Sequence, residues 1–139
     1  MKIIGIDYGD TRTGLAISDS EEKLAFSIGA VSAKTIEAAA QLVCEKIIEN
    51  NAEKAVLGLP KNMDGTEGFR AEKTRKFAAA LGQLHPNLTI DFLDERLTTK
   101  AATFFLNETN TRGKKRKNTV DTVAAQIILQ DYLDKNRTK

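Results

Sequence analysis

The chain has 139 residues, 41% hydrophobic and 29% charged, which suits one soluble domain with a sizeable core. Twenty-one basic against nineteen acidic residues leave a net charge of +2, so bulk charge alone does not announce a nucleic-acid partner. One cysteine, Cys44, excludes an internal disulfide framework, one histidine, His85, excludes a His-rich metal site, and no stretch reaches the roughly 18 apolar residues of a membrane span.

In chain order, residues 2–8 read as a strand that enters a glycine turn at Gly9–Thr11. Residues 12–19 and 24–32 read as two more strands, and the short connections favour an antiparallel meander. The period then changes. Ile36, Ala39, Ala40, Val43 and Ile47 recur at helical spacing over 35–50, where Cys44 reads as a small core residue. AVLGLP at 55–60 is a short buried strand. Residues 67–84 are helical, with Phe69, Lys73, Phe77 and Leu81 marking the turns, and His85 before Pro86 reads as loop or C-cap. LTIDFLDE at 88–95 is a strand, residues 98–108 are helical, 110–118 form a polar basic loop, and 119–135 form a last amphipathic helix. The order βββαβαβαα predicts a single α/β domain over 1–139, a mixed sheet with helices on its faces. The N-terminus lacks the apolar region and cleavage site of a signal peptide, so the expected compartment is the cytoplasm.

Three acids attract attention. Asp7 ends an apolar run, Ile3-Ile4-Gly5-Ile6, that otherwise reads as a buried strand, and a buried carboxylate is costly without a partner. Glu95 closes a second strand in DERLTT. Asp121 lies in the first turn of the last helix, on a stripe with Ala125, Ile128 and Tyr132. Ligands of α/β sheets collect at the carboxyl ends of strands. Converging there, three carboxylates need cations between them, and Mg²⁺ or Mn²⁺ suits oxygen ligands, as two ions able to clamp a phosphodiester. Each acid also has a plainer role: Asp7 as a turn cap, Glu95 in a surface ion pair, Asp121 as a favourable charge at a helix start. Asp94 rivals Glu95. Alternation groups Asp94 with Ile90 and Phe92, and Glu95 with Leu93, but spacing does not choose between them.

RGKKRK at 112–117 carries five cations, Arg112, Lys114, Lys115, Arg116 and Lys117, directly before the Asp121 helix. Such a run is either a solvated face or a clamp for backbone phosphates, and its adjacency to the acids favours the clamp. Arg12 is a further phosphate candidate. LPKNMDGTEGFR at 59–70 suits either a phosphate loop or an ordinary connection. Aromatics are too few for a stacking cluster. Tyr8 alone stands where it could touch a substrate, and packing on the face opposite Asp7 is its other reading.

Four segments together resemble the YqgF/RuvX family, bacterial proteins described as Holliday-junction resolvases or pre-16S rRNA nucleases. They are GIDYGDTRTGLAISD at 5–19, GLPKNMDGTEG at 58–68, DERLTT at 94–99 and KKRKNTVDTVAAQIIL at 114–129. The resemblance spans almost the whole chain. It implies an RNase H-like fold with sheet order 3-2-1-4-5 and strand two antiparallel to its neighbours. It also implies a metal-dependent nuclease whose acidic triad is Asp7, Glu95 and Asp121, with the glutamate of DER preferred over the preceding aspartate. The expected activity is hydrolysis of phosphodiester bonds in structured nucleic acid, at the 5′ end of pre-16S rRNA. The alternatives are a Holliday-junction resolvase and a non-catalytic nucleic-acid-binding protein. Monomer and homodimer both remain open, since a resolvase cutting two strands symmetrically wants a dimer and an rRNA-trimming enzyme need not be one.

Overall fold

The structure is a computed structural model that describes residues 1–94 and 113–137, the side chains of 113–122 and 137 excepted. Its strands are β1 (Lys2–Asp7), β2 (Arg12–Ser18), β3 (Ala25–Ser32), β4 (Ala52–Leu59) and β5 (Thr89–Asp94). Its helices are α1 (Ile36–Glu49), α2 (Phe69–Leu84) and α3 (Gly113–Arg137). The five strands form one sheet in the order β3-β2-β1-β4-β5. The β1/β2 and β2/β3 pairs are antiparallel, and β1/β4 and β4/β5 are parallel. This is the mixed α/β sheet that the resemblance implied.

The topology follows from the sequence pattern. The crossovers from β3 to β4 and from β4 to β5 both move towards the same edge of the sheet. Right-handed connections therefore lay α1 and α2 on one face. There Ile4, Ile6, Leu15, Ala55 and Leu57 pack against Val43, Ile47, Phe77 and Leu81. The alternate residues Ile3, Ala16, Val56 and Leu93 face the other way, against Ala125, Ile128, Leu129 and Leu133 of α3. Both faces of the central strands are covered, which is why β1 and β4 read as continuous apolar runs rather than alternating ones.

The helix ends have local causes. Thr35 caps α1, its Oγ1 accepting from the Ala38 N–H at 3.1 Å. Asn51 follows α1 in the left-handed region at φ 57°, a conformation asparagine tolerates better than most residues. The His85 N–H closes α2 on the Leu81 carbonyl at 2.9 Å, so His85 is the C-cap the sequence suggested. Cys44 is buried and free, also as read.

Two boundaries differ. β4 starts at Ala52 rather than at 55, because Ala52 and Lys54 pair with Lys2 and Ile3, and that pairing overrides the low strand preference of Glu53 and Lys54. α3 starts at Gly113 rather than at 119, so residues 113–118 are helical and not a loop. Lysine and arginine are good helix formers. Once the buried downstream face has nucleated the helix, propagation through them costs little. The helix expected over 98–108 lies outside the described residues.

Candidate functional site

β1, β4 and β5 run parallel and end together, at Asp7, Leu59 and Asp94. Asp7 is half-buried, paired in register with Gly14 of β2. Alternation along β1 turns Ile4 and Ile6 towards α1 and α2, and Ile3, Gly5 and Asp7 towards α3. Gly14 presents no side chain beside the acid. Gly9 lets the chain double back at once, since a Cβ there would lie 2.3 Å from the Arg12 carbonyl oxygen.

α3 approaches this edge because Gly5 permits it. A Cβ on Gly5 would lie 2.7 Å from the Leu129 Cβ and 3.0 Å from the Ala125 carbonyl oxygen. Further along α3, the Tyr132 hydroxyl donates to Asp91 Oδ2 at 2.6 Å, within β5. Gln130 Nε2 donates to the Lys23 carbonyl at 2.9 Å, in the β2–β3 turn beside the amino end of β1, where the Ile3 N–H meets Ser18 Oγ. From Gln130 to Ala125 the helix thus runs towards the carboxyl edge, and residue 121 is one more turn in that direction. The backbone carries positions 7 and 121 to the same end of the same face. From Ala125 onward the stripe is as read, since Ala125 and Ile128 are fully buried and Tyr132 packs on the same cluster, whereas the Asp121 side chain lies outside the described residues.

The remaining predicted residues divide. Glu95 and Arg112 lie outside the described residues, and Lys114–Lys117 occupy the first turns of α3. Arg12 opens β2 and is half-buried. Asp94 belongs by alternation with Ile90, which packs on the α1/α2 side, and Phe92, whose ring lies 4.9 Å from the Arg75 guanidinium of α2. Leu93 is on the α3 side with Asp7. Among the described residues no group of three His, Cys, Asp or Glu side chains could hold a metal ion. Of the expected triad, only Asp7 has its side chain described.

On the other side of the edge, a cleft is lined by Tyr8, Gly9, Asp10, Pro60, Phe69 and Arg70. Tyr8 stacks on Phe77, ring centroids 4.8 Å apart, so the packing reading of this tyrosine is correct. Burial foremost, and then the Asp10 carboxylate, push its hydroxyl pKa up. The 59–70 segment satisfies much of its own backbone. Asn62 and Gly65 donate to the Thr66 and Asn62 carbonyls, and the Thr66 N–H donates to Asp64 Oδ1. Gly65 sits at φ 90°. Those three amides are therefore spent on the loop and do not cradle a phosphate.

The sequence missed Phe69. Its four-residue spacing marks the helical turns together with Lys73, Phe77 and Leu81, yet it is 70% exposed. Each step of four residues overshoots a helical turn by about 40°, so two steps carry Phe69 roughly 80° round from Phe77. The buried face runs instead through Ala71, Thr74, Phe77, Ala78 and Leu81.

A family model described as "RuvX: Holliday junction resolvase" matches residues 1–135. A protein of Halothermothrix orenii named "Putative pre-16S rRNA nuclease" is 43% identical, the match covering 96% of this chain and 95% of that one. An Acetivibrio thermocellus protein of the same name is 40% identical over 96% of each. Among solved structures, Thermus thermophilus RuvC in complex with a Holliday junction substrate aligns over 100% of this chain and 97% of its own, with TM-score 0.63 at 16% identity. Fowlpox virus resolvase with its junction DNA aligns over 98% and 99%, with TM-score 0.59 at 13% identity. These likenesses establish the fold, in which five strands in the order 3-2-1-4-5 lie between helices. With the family model matched from the first residue to 135 and relatives at 40% identity or more over nearly all of both chains, this chain belongs to the RuvX family.

Proposed function

We propose that this chain is a divalent-metal-dependent nuclease that hydrolyses phosphodiester bonds in structured nucleic acid, acting at the 5′ end of pre-16S rRNA. The observation that supports the reading is the close approach of α3 to β1 over Gly5, on the face of the sheet to which Asp7 belongs. The names of the full-length relatives point to the same activity. The donor set fits a hard cation, since every candidate ligand is a carboxylate. Asp7, Glu95 and Asp121 are the residues that would hold Mg²⁺ or Mn²⁺. Alternation along β5 turns Asp94 towards the α1/α2 side, away from Asp7, and the family resemblance prefers the glutamate of DER, so Glu95 is the favoured partner of Asp7. Bound divalent ions would supply a water nucleophile at neutral pH and offset charge on the phosphate. The chain's own part is to hold Asp7 at the end of a central strand, keep space beside it through Gly14, and hold backbone phosphates through Arg12, Arg112, Lys114, Lys115, Arg116 and Lys117.

The test is cleavage of three labelled substrates with Mg²⁺ or Mn²⁺: a pre-16S 5′ end, a four-way DNA junction and single strands. Asp7→Asn should lower the rate by roughly two to three orders of magnitude while the far-ultraviolet circular dichroism stays unchanged. Equal rates for the variant and the parent would overturn the assignment. A second reading, a Holliday-junction resolvase, is favoured by the description of the matching family model. Preferential cutting of the junction would select it. Intact substrates throughout would leave a nucleic-acid-binding protein without catalysis.

A further inference from the structure

Phe69 is the first residue of α2 and one of the most exposed apolar side chains, at 70%. It is nonetheless held. The Lys73 ammonium lies 4.5 Å from its ring centroid, and Lys73 in turn pairs with Asp10 Oδ1 at 3.1 Å. The ion pair ties α2 to the turn that follows Asp7, and the ring rides on that tie. Beside it, Arg70 is exposed and makes no side-chain hydrogen bond or ion pair among the described residues. Lys34, likewise exposed and without such a partner, borders the adjoining groove with Tyr8, Asp10 and Lys73. The nearby Glu67 is already engaged by Arg75, at 2.6 and 2.7 Å. An open aromatic face flanked by unengaged cations is complementary to a flat, anionic ligand. The cleft behind it measures about 70 Å³, too small to enclose a nucleoside, so a base would lie on the ring rather than inside.

We propose that Phe69 and Arg70 form a binding site for one unpaired nucleotide, its base stacked on Phe69 and its phosphate held by Arg70. The site rests on the nuclease reading and deepens it. A ring can stack on a base only where that base has left its duplex stack. The chain therefore selects nucleic acid with an unpaired residue next to the cleavage edge over continuous duplex. The edge then lies between two phosphate-holding regions, this one on the α2 side and the basic run at the start of α3.

The experiment uses the full chain in Mg²⁺ at 4 °C, with gels confirming that the strands stay intact. Fluorescence anisotropy measures affinity for single-stranded RNA, single-stranded DNA and a continuous duplex, with 2-aminopurine at one position reporting stacking. Phe69→Ala should weaken binding of unpaired strands by roughly 5- to 150-fold and abolish the 2-aminopurine quench, with duplex affinity unchanged. Phe69→Trp should restore both. Arg70→Ala should weaken unpaired strands without removing the quench. The RNA and DNA arms show which backbone the site takes. Parental affinity of Phe69→Ala for unpaired strands, or an equal loss on duplex, overturns the stacking site and leaves the nuclease reading standing. A parent chain that binds none of the three probes overturns both.

Discussion

Substituting alanine for Gly9 would bring a methyl group within 2.3 Å of a backbone oxygen, that of Arg12, which cannot swing aside as a side chain can. The glycine is needed here for space, since Gly29 and Gly65 are the glycines with positive φ. Gly9→Ala should therefore cost about 2 kcal/mol in urea unfolding, within the range of disruptive single substitutions. The turn joins Asp7 to the strand that carries Gly14, so the same variant should lose cleavage activity beyond what its stability loss explains. This part of the site was legible in the sequence. An acid at the end of an apolar run, followed by glycines at 9 and 14, signals a tight return beside a carboxylate. Phe69 was not legible, because a four-residue spacing matches the α2 stripe over one turn and drifts off it over two.

The α3 helix is where elements decide the site. Its distance from β1 is set by Gly5, and a Gly5→Ala substitution forces α3 outward or the strand inward. The expected cost is about 1–3 kcal/mol, the range for overpacking. Mn²⁺ affinity, read by electron paramagnetic resonance on the folded variant, should fall as well, because residue 121 rides on the displaced helix. At the other end, α3 is pinned by Tyr132, Asp91 and Lys54, with Lys54 Nζ 3.1 Å from Asp91 Oδ2. The Tyr132 hydroxyl foremost, and Lys54 after it, hold the Asp91 carboxyl below its usual range. The Lys54 ammonium is raised, first by Tyr132 and then by Asp91, against an opposing effect of burial. A depressed carboxylate pKa stabilises the fold above the unfolded value, about 3.9, and loses that contribution as pH falls through the folded value. A raised lysine stabilises below about 10.4 and loses its contribution as pH climbs through the folded value. Tyr132→Phe should thus cost about 1 kcal/mol between pH 5 and 9, discounted for partial exposure. That cost should shrink below pH 4, as measured by thermal unfolding across pH. The anchor was half visible in the sequence. The stripe Ala125–Ile128–Tyr132 told which face of α3 is buried, whereas the pairing of Tyr132 with a residue forty-one positions earlier depends on which strand lies beneath it.

Across the whole molecule, the sheet order could be anticipated because short meander connections and right-handed crossovers leave few arrangements open. The charge distribution could not, because a run of lysines reads alike in a loop and in a helix. The structure assigns Lys114–Lys117 to the first turns of α3, with no acid in the first turn to balance them. Cations there oppose the helix dipole and each other, at about 0.3–1 kcal/mol for each unfavourable placement. Folding alone would select against such a run, which favours the proposed phosphate-holding role over a solvated face. The two explanations separate in one variant. Replacing Lys114, Lys115, Arg116 and Lys117 together by glutamine leaves helix propensity nearly unchanged and removes the repulsion. Melting temperature should hold or rise. If the four cations meet phosphates, the slope of log affinity against log salt for single strands should fall by about 3, with affinity at low salt dropping most. A variant that melts higher and keeps the parental salt slope would mean that the run never touches nucleic acid. A variant that melts higher and loses the slope would mean that stability has been given up at the mouth of the site for contact with the backbone.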